Sequence, residues 1–262
     1  MDLLDKDKIL QLIDDTREDF ELEIHQQLDS TNSYLLTQQL TDKVKICLAE
    51  SQTAGRGRHG KGWHSPKDAN IYLSFAHRLK IDISSLSGFS LVIGITLVET
   101  LQKYCKDLIK LKWPNDLLVN GKKLSGILVE IKNESKGSYK LITGIGINID
   151  MPENTADFID QPSISLSQCR PLTELSRNAL AADIINNIQD KVNLFEQRGF
   201  VPFHHKWNKL DIWYGQQVVI EIGNNKMLGI HRGIDFSGAL ILDQEGKLSS
   251  WNSGEVSLRG TN

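Results

Sequence analysis

The sequence of 262 residues lacks the signatures of several common protein classes. Its three cysteines, Cys47, Cys105 and Cys169, are odd in number and far apart, which argues against a disulfide scaffold or a zinc cluster. No apolar run reaches the roughly 18 residues that a membrane helix needs, and the acidic, polar first residues do not resemble a signal peptide. The H-E-x-x-H and G-x-S-x-G patterns of metalloproteases and serine hydrolases are also missing. We therefore expect a cytoplasmic protein.

A large excess of one charge is absent as well. Lysine and arginine total 30 against 33 aspartates and glutamates, which gives a net charge of −3. The chain thus has no global basic surface for DNA or anionic lipid, and we expect neither as a partner. With 40% hydrophobic residues it can bury a substantial core, and its length suits one large domain with a small one.

The most informative segment is a basic glycine loop, Gly55-Arg56-Gly57-Arg58-His59-Gly60-Lys61-Gly62-Trp63. Glycines allow the backbone to approach a ligand closely and to turn its N–H groups toward anionic oxygens. The two arginines and the lysine add positive charge suited to carboxylate or phosphate, and Trp63 offers a flat apolar surface. The loop favours a small anionic ligand that also carries an aromatic base. A nucleic-acid patch and a merely solvated loop are the alternatives.

The same loop satisfies most of the P-loop pattern but departs from it at two points. Gly62 stands where a serine or threonine would hold magnesium. The apolar residues 71–75 then predict a strand, whereas a P-loop would be followed by a helix. These departures argue against a true P-loop.

The pattern in the first hundred residues predicts alternating short elements. Residues 1 to about 20 indicate one short helix, and residues 24–28 a short strand. Ser30 lies in a polar cluster that fits a turn and a helix N-cap. Residues 44–50 predict a strand that enters the glycine loop, and the apolar spacing over residues 86–103 predicts a core helix.

The middle of the chain contains a hairpin signal. Asn120-Gly121 separates the apolar run at 111–119 from a return strand at 123–130, which predicts a type I′ turn. Asp116 either caps a turn or serves a magnesium–phosphate site or an attacking amine. Lys123 beside the turn is either a solvated lysine or a catalytic one.

The last part of the chain predicts a strand, two helices and a small barrel. Residues 139–149 read as a sheet strand and not as a dinucleotide fingerprint, because a third glycine and a following helix are missing. Asn148, at its end, is ambiguous between structure and function. Residues 176–198 predict a long amphipathic helix, with a short helix near Trp207. From Ile212 onward, short alternating strands separated by glycine turns, including Gly223-Asn224 and Gly254, predict an antiparallel barrel.

Together these motifs resemble biotin protein ligases in order and spacing. The motifs that carry the resemblance are Ser30-Thr31-Asn32, Gly55 to Trp63, Lys112 to Asp116, Lys123 to Leu128, Gly144 to Asn148, Gly229 to Asp235 and Gly254 to Arg259. The resemblance covers about residues 22–260. Many bacterial members carry an N-terminal winged-helix DNA-binding module. This chain starts almost where the ligase core starts, so it is similar to the monofunctional type and is not expected to act as a repressor.

The resemblance implies an α+β fold and a domain division. The catalytic domain would be a mixed β-sheet with helices packed on it, like that of class II aminoacyl-tRNA synthetases, over residues 1–211. Residues 1–20 would form a short helical extension of that domain. Residues 212–262 would form a small SH3-like barrel.

The resemblance also implies a reaction in two steps. Biotin and MgATP would give biotinyl-5′-AMP, and the biotinyl group would then pass to a lysine of the biotin carrier domain of acetyl-CoA carboxylase. ATP and Mg²⁺ would be the cofactors, and the family allows a homodimer. A lipoate or octanoate ligase is one alternative, but its resemblance would not include the basic loop or the barrel. A non-catalytic biotin-binding protein is another, but it would not need Lys123 or the arginines.

The resemblance carries residue roles onto this sequence. The catalytic residues would be Lys123, Arg58 and Asp116, with Asp116 also the metal ligand. The biotin-binding residues would be Ser30, Thr31, Asn32, Gln52, Gly55, Arg56, Gly57, Lys123 and Gly126. The residues that bind ATP or the adenylate would be Arg58, His59, Gly60, Lys61, Trp63, Asn115, Asn148 and Arg259.

Overall fold

A seven-stranded mixed sheet is the main element of the protein, as seen in a computed structural model that describes residues 1–14, 20–79, 86–134, 139–152, 161–171, 174–222, 225–252 and 257–260. In chain order the strands are β1 (Phe20–His25), β2 (Val44–Ala49), β3 (Ile71–Leu79), β4 (Ile109–Lys112), β5 (Asp116–Val119), β6 (Lys122–Asn133) and β7 (Tyr139–Ile147). Across the sheet the order is β1-β2-β3-β7-β6-β5-β4, and β1 pairs with β2 in parallel while the other neighbours are antiparallel.

Helices cover both faces of this sheet. They are α1 (Lys6–Leu12), α2 (Thr31–Thr37), α3 (Phe89–Leu101), α4 (Arg177–Arg198) and α5 (His204–Leu210). Successive residues of a strand face opposite sides, so Ala76 and Ile142 pack with α2 while their neighbours Phe75 and Leu141 belong to the main core. On that core side α3 approaches β4 and β6, where Gly94 lies against Leu111. No helix among the described residues is long and apolar enough to cross a membrane.

The two long helices confirm the periodic patterns, with one difference. Ser176 caps α4 by accepting a hydrogen bond from the N–H of Ala179, and Gly199 ends the helix with a positive φ of 62°. The core helix predicted over residues 86–103 is α3, which is shorter and runs from Phe89 to Leu101. Nearly every residue of it is buried, because α4 and α5 pack against it as well as β4 and β6.

Two turn and strand predictions had different outcomes. The predicted type I′ turn is confirmed, because Asn120 and Gly121 have positive φ angles of 50° and 76°. The strand predicted at 24–28 is wrong in its bounds: β1 pairs Phe20 with Val44 and ends at His25. Leu28 makes only an isolated bridge to Gln52.

A second, five-stranded antiparallel sheet follows α5. Its strands are β8 (Gln217–Ile222), β9 (Asn225–Ile234), β10 (Leu240–Gln244), β11 (Lys247–Trp251) and β12 (Ser257–Gly260), in the order β11-β10-β9-β8-β12. The N–H of Ile212 donates to the carbonyl of Leu111 at 2.9 Å, and the indole of Trp113 donates to the carbonyl of Gly238 at 3.1 Å. The predicted turns at 223–224 and at Gly254 lie outside the described residues. The mixed sheet with helices and a separate antiparallel sheet confirms the predicted fold class, while the division at residue 212 stays a prediction.

Candidate active site

One cavity of about 700 Å³ brings the predicted site residues together. The glycine loop, the start of α2, β6, β7 and the turn before β5 form its walls, and β12 of the second sheet contributes Arg259. All of the predicted residues line this cavity except Gly60, which lines an adjoining cavity of about 370 Å³ along the same loop. Sequence spacing alone could not show that Arg259, at the end of the chain, meets the glycine loop.

The glycine loop is folded on itself as a small hairpin. The N–H of Gly57 donates to the carbonyl of Lys61 at 2.7 Å, and the N–H of Trp63 donates to the carbonyl of Gly55 at 2.8 Å. Gly55 has no room for a side chain, since a Cβ there would lie 2.4 Å from the carbonyl oxygen of Trp63. This glycine therefore serves the close approach of the loop's own backbone. With the N–H of Lys61, which donates to the carbonyl of Arg58 at 3.1 Å, three of the loop's N–H groups are used within the loop.

The indole of Trp63 lies against β6 and β7, where two glycines leave space for it. A Cβ on Gly146 would lie 2.4 Å from the indole ring, and one on Gly126 would lie 2.9 Å from it. The ammonium of Lys123 lies 5.2 Å from the ring centroid. The indole N–H is buried and has no hydrogen-bond partner in the described part of the chain. Contact of Trp63 with an adenine stays a prediction.

Lys123 and Asp116 form an ion pair inside the cavity. Lys123 Nζ lies 2.8 Å from Asp116 Oδ1, and the two side chains are only 14% and 12% exposed. Asp116 Oδ1 nevertheless receives no hydrogen bond of good geometry from any described residue. The neighbouring Lys122 is exposed at the hairpin. The interpretation of Lys123 as a solvated hairpin lysine is therefore wrong.

The backbone on either side of Lys123 is held in place. Its N–H donates to the carbonyl of Pro162 at 2.8 Å, and its carbonyl accepts from the N–H of Ile164 at 3.0 Å. The amide of Asn148 donates to the same carbonyl at 3.3 Å. The side chain of Asn148 thus helps to hold the backbone of Lys123 in place. The adjacent cavity-lining residues Gln161 and Ser163 were missed, because nothing in the sequence indicates that this segment returns to β6.

Several cations converge on the single carboxylate among the residues lining the cavity. Burial lowers the pKa of the Arg58 guanidinium, and the negative charge of Asp116 opposes that shift. Burial also lowers the pKa of Lys112; Asp116 opposes this effect, and the nearby Arg259 adds to it. Arg58 donates to the Oδ1 of Asn115 at 3.3 Å. Such an excess of positive charge suits a ligand with several anionic oxygens.

Lys112 was missed as a site residue although it belongs to a motif that was recognised. Its ammonium lies 5.2 Å from the centroid of the Trp213 ring, at the junction with the second sheet. It is the last residue of β4 and lines the cavity. The sequence signal that could have identified Lys112 is its position as a polar residue at the end of a short strand in which apolar and polar residues alternate.

The polar side chains predicted for the ureido ring of biotin hydrogen-bond to one another. Gln52 Oε1 accepts from the N–H of Thr31 at 2.9 Å and from its hydroxyl at 3.2 Å. The amide of Gln52 donates to Ser65 Oγ at 2.8 Å, and the Ser74 and Thr31 hydroxyl oxygens lie 2.7 Å apart. Ser30 accepts from the N–H of Ser33 as the cap of α2. Ser65 and Ser74 were missed by the sequence interpretation.

Glu130 was also missed, and it joins two predicted residues. Its Oε2 accepts from the amide of Asn32 at 2.8 Å and from the guanidinium of Arg56. One face of β6 presents every second residue: Gly126, Leu128 and Glu130. The larger cavity is lined by Gly126 and Leu128, and the smaller one by Leu128 and Glu130. An acidic residue in register with Gly126 was the signal that could have identified it.

Comparison with known proteins gives consistent matches. A sequence model described as the Biotin/lipoate A/B protein ligase family matches residues 24–148, and one described as the Biotin protein ligase C terminal domain matches residues 214–259. The bifunctional ligase/repressor BirA of Salmonella typhimurium is 41% identical over 262 residues, covering 95% of this chain and 79% of that protein. The biotin–[acetyl-CoA-carboxylase] ligase of Mycobacterium tuberculosis is 29% identical over 246 residues, covering 90% of this chain and 88% of that protein.

The fold has a counterpart among solved structures as well. The biotin protein ligase from Aquifex aeolicus, in complex with biotin and ATP, matches with a TM-score of 0.79 and 28% identity. The match covers 92% of this chain and 99% of that one. The 8% of the chain outside the match is smaller than either sheet, so the match includes residues of both sheets.

Proposed function

The chain belongs to the biotin protein ligase family and is a ligase, and on that premise we propose that it activates biotin with MgATP and transfers it to a lysine of a biotin carrier domain. The observation that carries the proposal is the buried ion pair between Lys123 and Asp116 in a cavity lined by further cations. A protein that only binds biotin could use one cation for the carboxylate, but it would have no need of the further cations suited to phosphates.

In the first step the biotin carboxylate attacks the α-phosphate of ATP, which gives biotinyl-5′-AMP and releases pyrophosphate. Two anions must approach each other, so their repulsion has to be offset by cations that are already in position. Lys123 is suited to contact both the carboxylate and the phosphoryl oxygens, since its ammonium is held between Asp116 and the face of Trp63. Arg58 and Lys112 would stabilise the charge on the phosphates.

Magnesium fits the donor set on the carboxylate side. The described residues contain no group of three or more histidine, cysteine, aspartate or glutamate side chains that could hold a metal ion. Mg²⁺, however, often uses only one or two protein carboxylates together with substrate phosphates and water. Asp116, the one carboxylate among the residues lining the cavity, would hold it. The ion would neutralise charge on the phosphates of ATP.

In the second step the amine of a carrier lysine attacks the carbonyl carbon of the mixed anhydride, and AMP leaves. Asp116 would orient the incoming amine, because it is the carboxylate in the cavity lining. The polar network of Thr31, Gln52 and Ser74 would hold the ureido ring, since its side chains are fixed by one another before a ligand arrives.

The direct test incubates the purified chain with MgATP, biotin and a biotin carrier domain. We expect one labelled carrier lysine, with release of AMP and pyrophosphate. Pyrophosphate exchange into ATP is measured in parallel with biotin, lipoate and octanoate. Exchange with lipoate or octanoate but not with biotin would make the chain a lipoate-type ligase, and binding without exchange would make it a binding protein.

Repression is a separate question, because the Salmonella relative is named a bifunctional ligase/repressor. We propose that this chain is not an operator-binding repressor, since its net charge of −3 offers no basic surface. Specific DNA binding typically has dissociation constants of about 10⁻⁸ to 10⁻¹¹ M. A gel shift in that range on a biotin-gene operator, with or without biotinyl-AMP, would contradict this. Cytoplasmic location, a homodimer and the acetyl-CoA carboxylase carrier as acceptor stay predictions.

A further inference from the structure

We propose that Glu130 is a positioning residue that ties the glycine loop to the opposite wall of the cavity. Its single carboxylate oxygen Oε2 accepts from the amide of Asn32, on α2, and from the guanidinium of Arg56, in the loop. The loop and α2 are separate segments, and directly before them the N–H of Ala54 donates to the carbonyl of Asp29 at 2.8 Å. One carboxylate therefore sets the position of two side chains on which the biotin half of the site depends.

The geometry of Asn32 makes it a fixed point for this tie. It is 3% exposed, and its Oδ1 accepts from Ser74 Oγ at 2.6 Å. Its amide also donates to the carbonyl of Leu128 at 3.3 Å. Both the oxygen and the nitrogen of the Asn32 amide are thus held in place, and the bond from this nitrogen fixes the position of the Glu130 carboxylate. The more exposed partner is Arg56, whose side chain is 39% exposed.

The loop has a second side-chain tie on the other side of the cavity, from Arg58 to Asn115 at 3.3 Å. Arg56 and Arg58, which are separated by one residue, thus anchor the loop to two different walls of the cavity. The glycines between and after them give the backbone freedom that these ties restrict. Loss of the Glu130 tie would release the biotin side of the loop and leave the Arg58 side attached.

The substitution Glu130→Gln removes the negative charge of the side chain and keeps its volume almost unchanged. A carboxylate can accept from both donors, whereas a carboxamide presents one oxygen and one NH₂ group. Both donors meet the same oxygen, Oε2. A carboxamide oxygen in that position can accept both bonds but carries no charge, and in the other orientation the NH₂ group faces both donors. In either case the ion pair with Arg56 is lost, while Asn32 keeps its bond to Leu128, so Arg56 is the partner expected to be released.

The first measurement needs no ligand. Trypsin can cleave after Arg56, Arg58 and Lys61, and the rate reports how often the loop opens locally. We expect cleavage in the loop of the Glu130→Gln variant to be about fivefold faster, a modest factor because the ion pair is partly exposed. Glu134→Gln is the matched control, since Glu134 pairs with Arg78 at similar exposure away from the cavity.

A double-mutant cycle with Arg56→Ala distinguishes a tie from general loosening. In the Arg56→Ala background, Glu130→Gln should give no further increase at the remaining two cleavage sites. Equal rates in the Glu130→Gln variant and wild type, additive effects in the cycle, or the same acceleration in Glu134→Gln would each overturn the proposal.

The second measurement rests on the proposed ligase function. The dissociation rate of biotinyl-AMP should rise about fivefold in the Glu130→Gln variant and remain at the wild-type value in the Glu134→Gln variant. An unchanged dissociation rate would overturn the role of the tie in retaining the adenylate. If the wild-type chain forms no adenylate at all, the proposed function fails, and the proteolysis result still decides on the tie.

Discussion

Replacement of Lys123 by alanine is the most direct test of the reaction chemistry. The ammonium lies 2.8 Å from Asp116 and 5.2 Å from the centroid of Trp63, within a cavity that the glycine loop covers. Lys123→Ala removes this cation and leaves the hairpin backbone in place, because the backbone bonds to Pro162 and Ile164 do not involve the side chain.

The expected effect on catalysis follows from the cost of one missing transition-state contact. Removal of a positioned group that stabilises developing negative charge slows the chemical step by about 10²- to 10³-fold, or about 2.7–4 kcal/mol. A second effect acts on stability, because Asp116 would lose its partner while only 9% exposed. Breaking a fully buried pair costs about 3–5 kcal/mol; the neighbouring cations should keep the cost here at or below the lower end.

Two companion variants separate these effects. Lys122→Ala removes an exposed lysine one position earlier and should leave both adenylation and stability near wild type. The double variant Asp116→Asn with Lys123→Met removes both charges of the pair, so it should recover part of the lost stability and none of the lost rate; Arg58 and Lys112 still lose the carboxylate that opposes their pKa shifts.

The assay is single-turnover formation of biotinyl-AMP at saturating biotin and MgATP, with thermal unfolding recorded for each variant. If adenylation by Lys123→Ala stays within about threefold of Lys122→Ala, the lysine takes no part in the transition state, and stabilisation of developing charge by a positioned cation does not operate at this site. Recovery of the rate in the double variant would show that stability, and not chemistry, had been lost.

Three further substitutions test other parts of the structure. Arg58→Gly removes a guanidinium bond worth roughly 1.5–3 kcal/mol, so adenylate release should accelerate about 10- to 150-fold and an unrelated protein such as albumin should become biotinylated. Gly146→Ala would place a Cβ 2.4 Å from the Trp63 ring, and the displaced ring should slow single-turnover adenylation by about tenfold to a hundredfold. Burial lowers the pKa of His77 from 6.5 to about 4, so stability should fall as the pH drops through this window. At pH 5 the loss is about 2 kcal/mol, and in denaturant unfolding His77→Phe should abolish it.

The local parts of the fold could be predicted because short-range chemistry determines them. Asn120-Gly121 requires positive φ at both positions, and Ser176 supplies a capping oxygen at the start of α4. The bounds of β1 could not be predicted in this way. They depend on the parallel pairing of Phe20 with Val44, a partner more than 20 residues away, and no turn signal marks that register.

Site residues could be predicted from the sequence when their residue type is unusual for their position. Residues that act by holding another side chain in place could not be predicted. Arg58 stands out as a charge in a glycine-rich loop, whereas Lys123 beside the hairpin turn was assigned a role only through the resemblance to the family. Glu130 and Ser74 do not stand out, because an acid or a hydroxyl on a strand has many ordinary explanations. Their importance comes from contacts with Arg56 and Thr31 that exist only in the folded chain.

The distribution of charge in the cavity explains why its cations can be held ready before a ligand binds. Like charges gathered in a partly buried space repel one another, and burial already lowers the pKa of Lys112 and Arg58. Asp116 opposes this effect on the side proposed to bind the nucleotide, while Glu130 holds Arg56 on the side proposed to bind biotin. Incoming anionic oxygens would then relieve repulsion among cations already in position, so much of the cost of organising the site is met during folding. Substitution of Lys112 by a neutral residue should therefore raise the stability of the fold, because it removes repulsion among the cations of the cavity. The same substitution should weaken nucleotide binding.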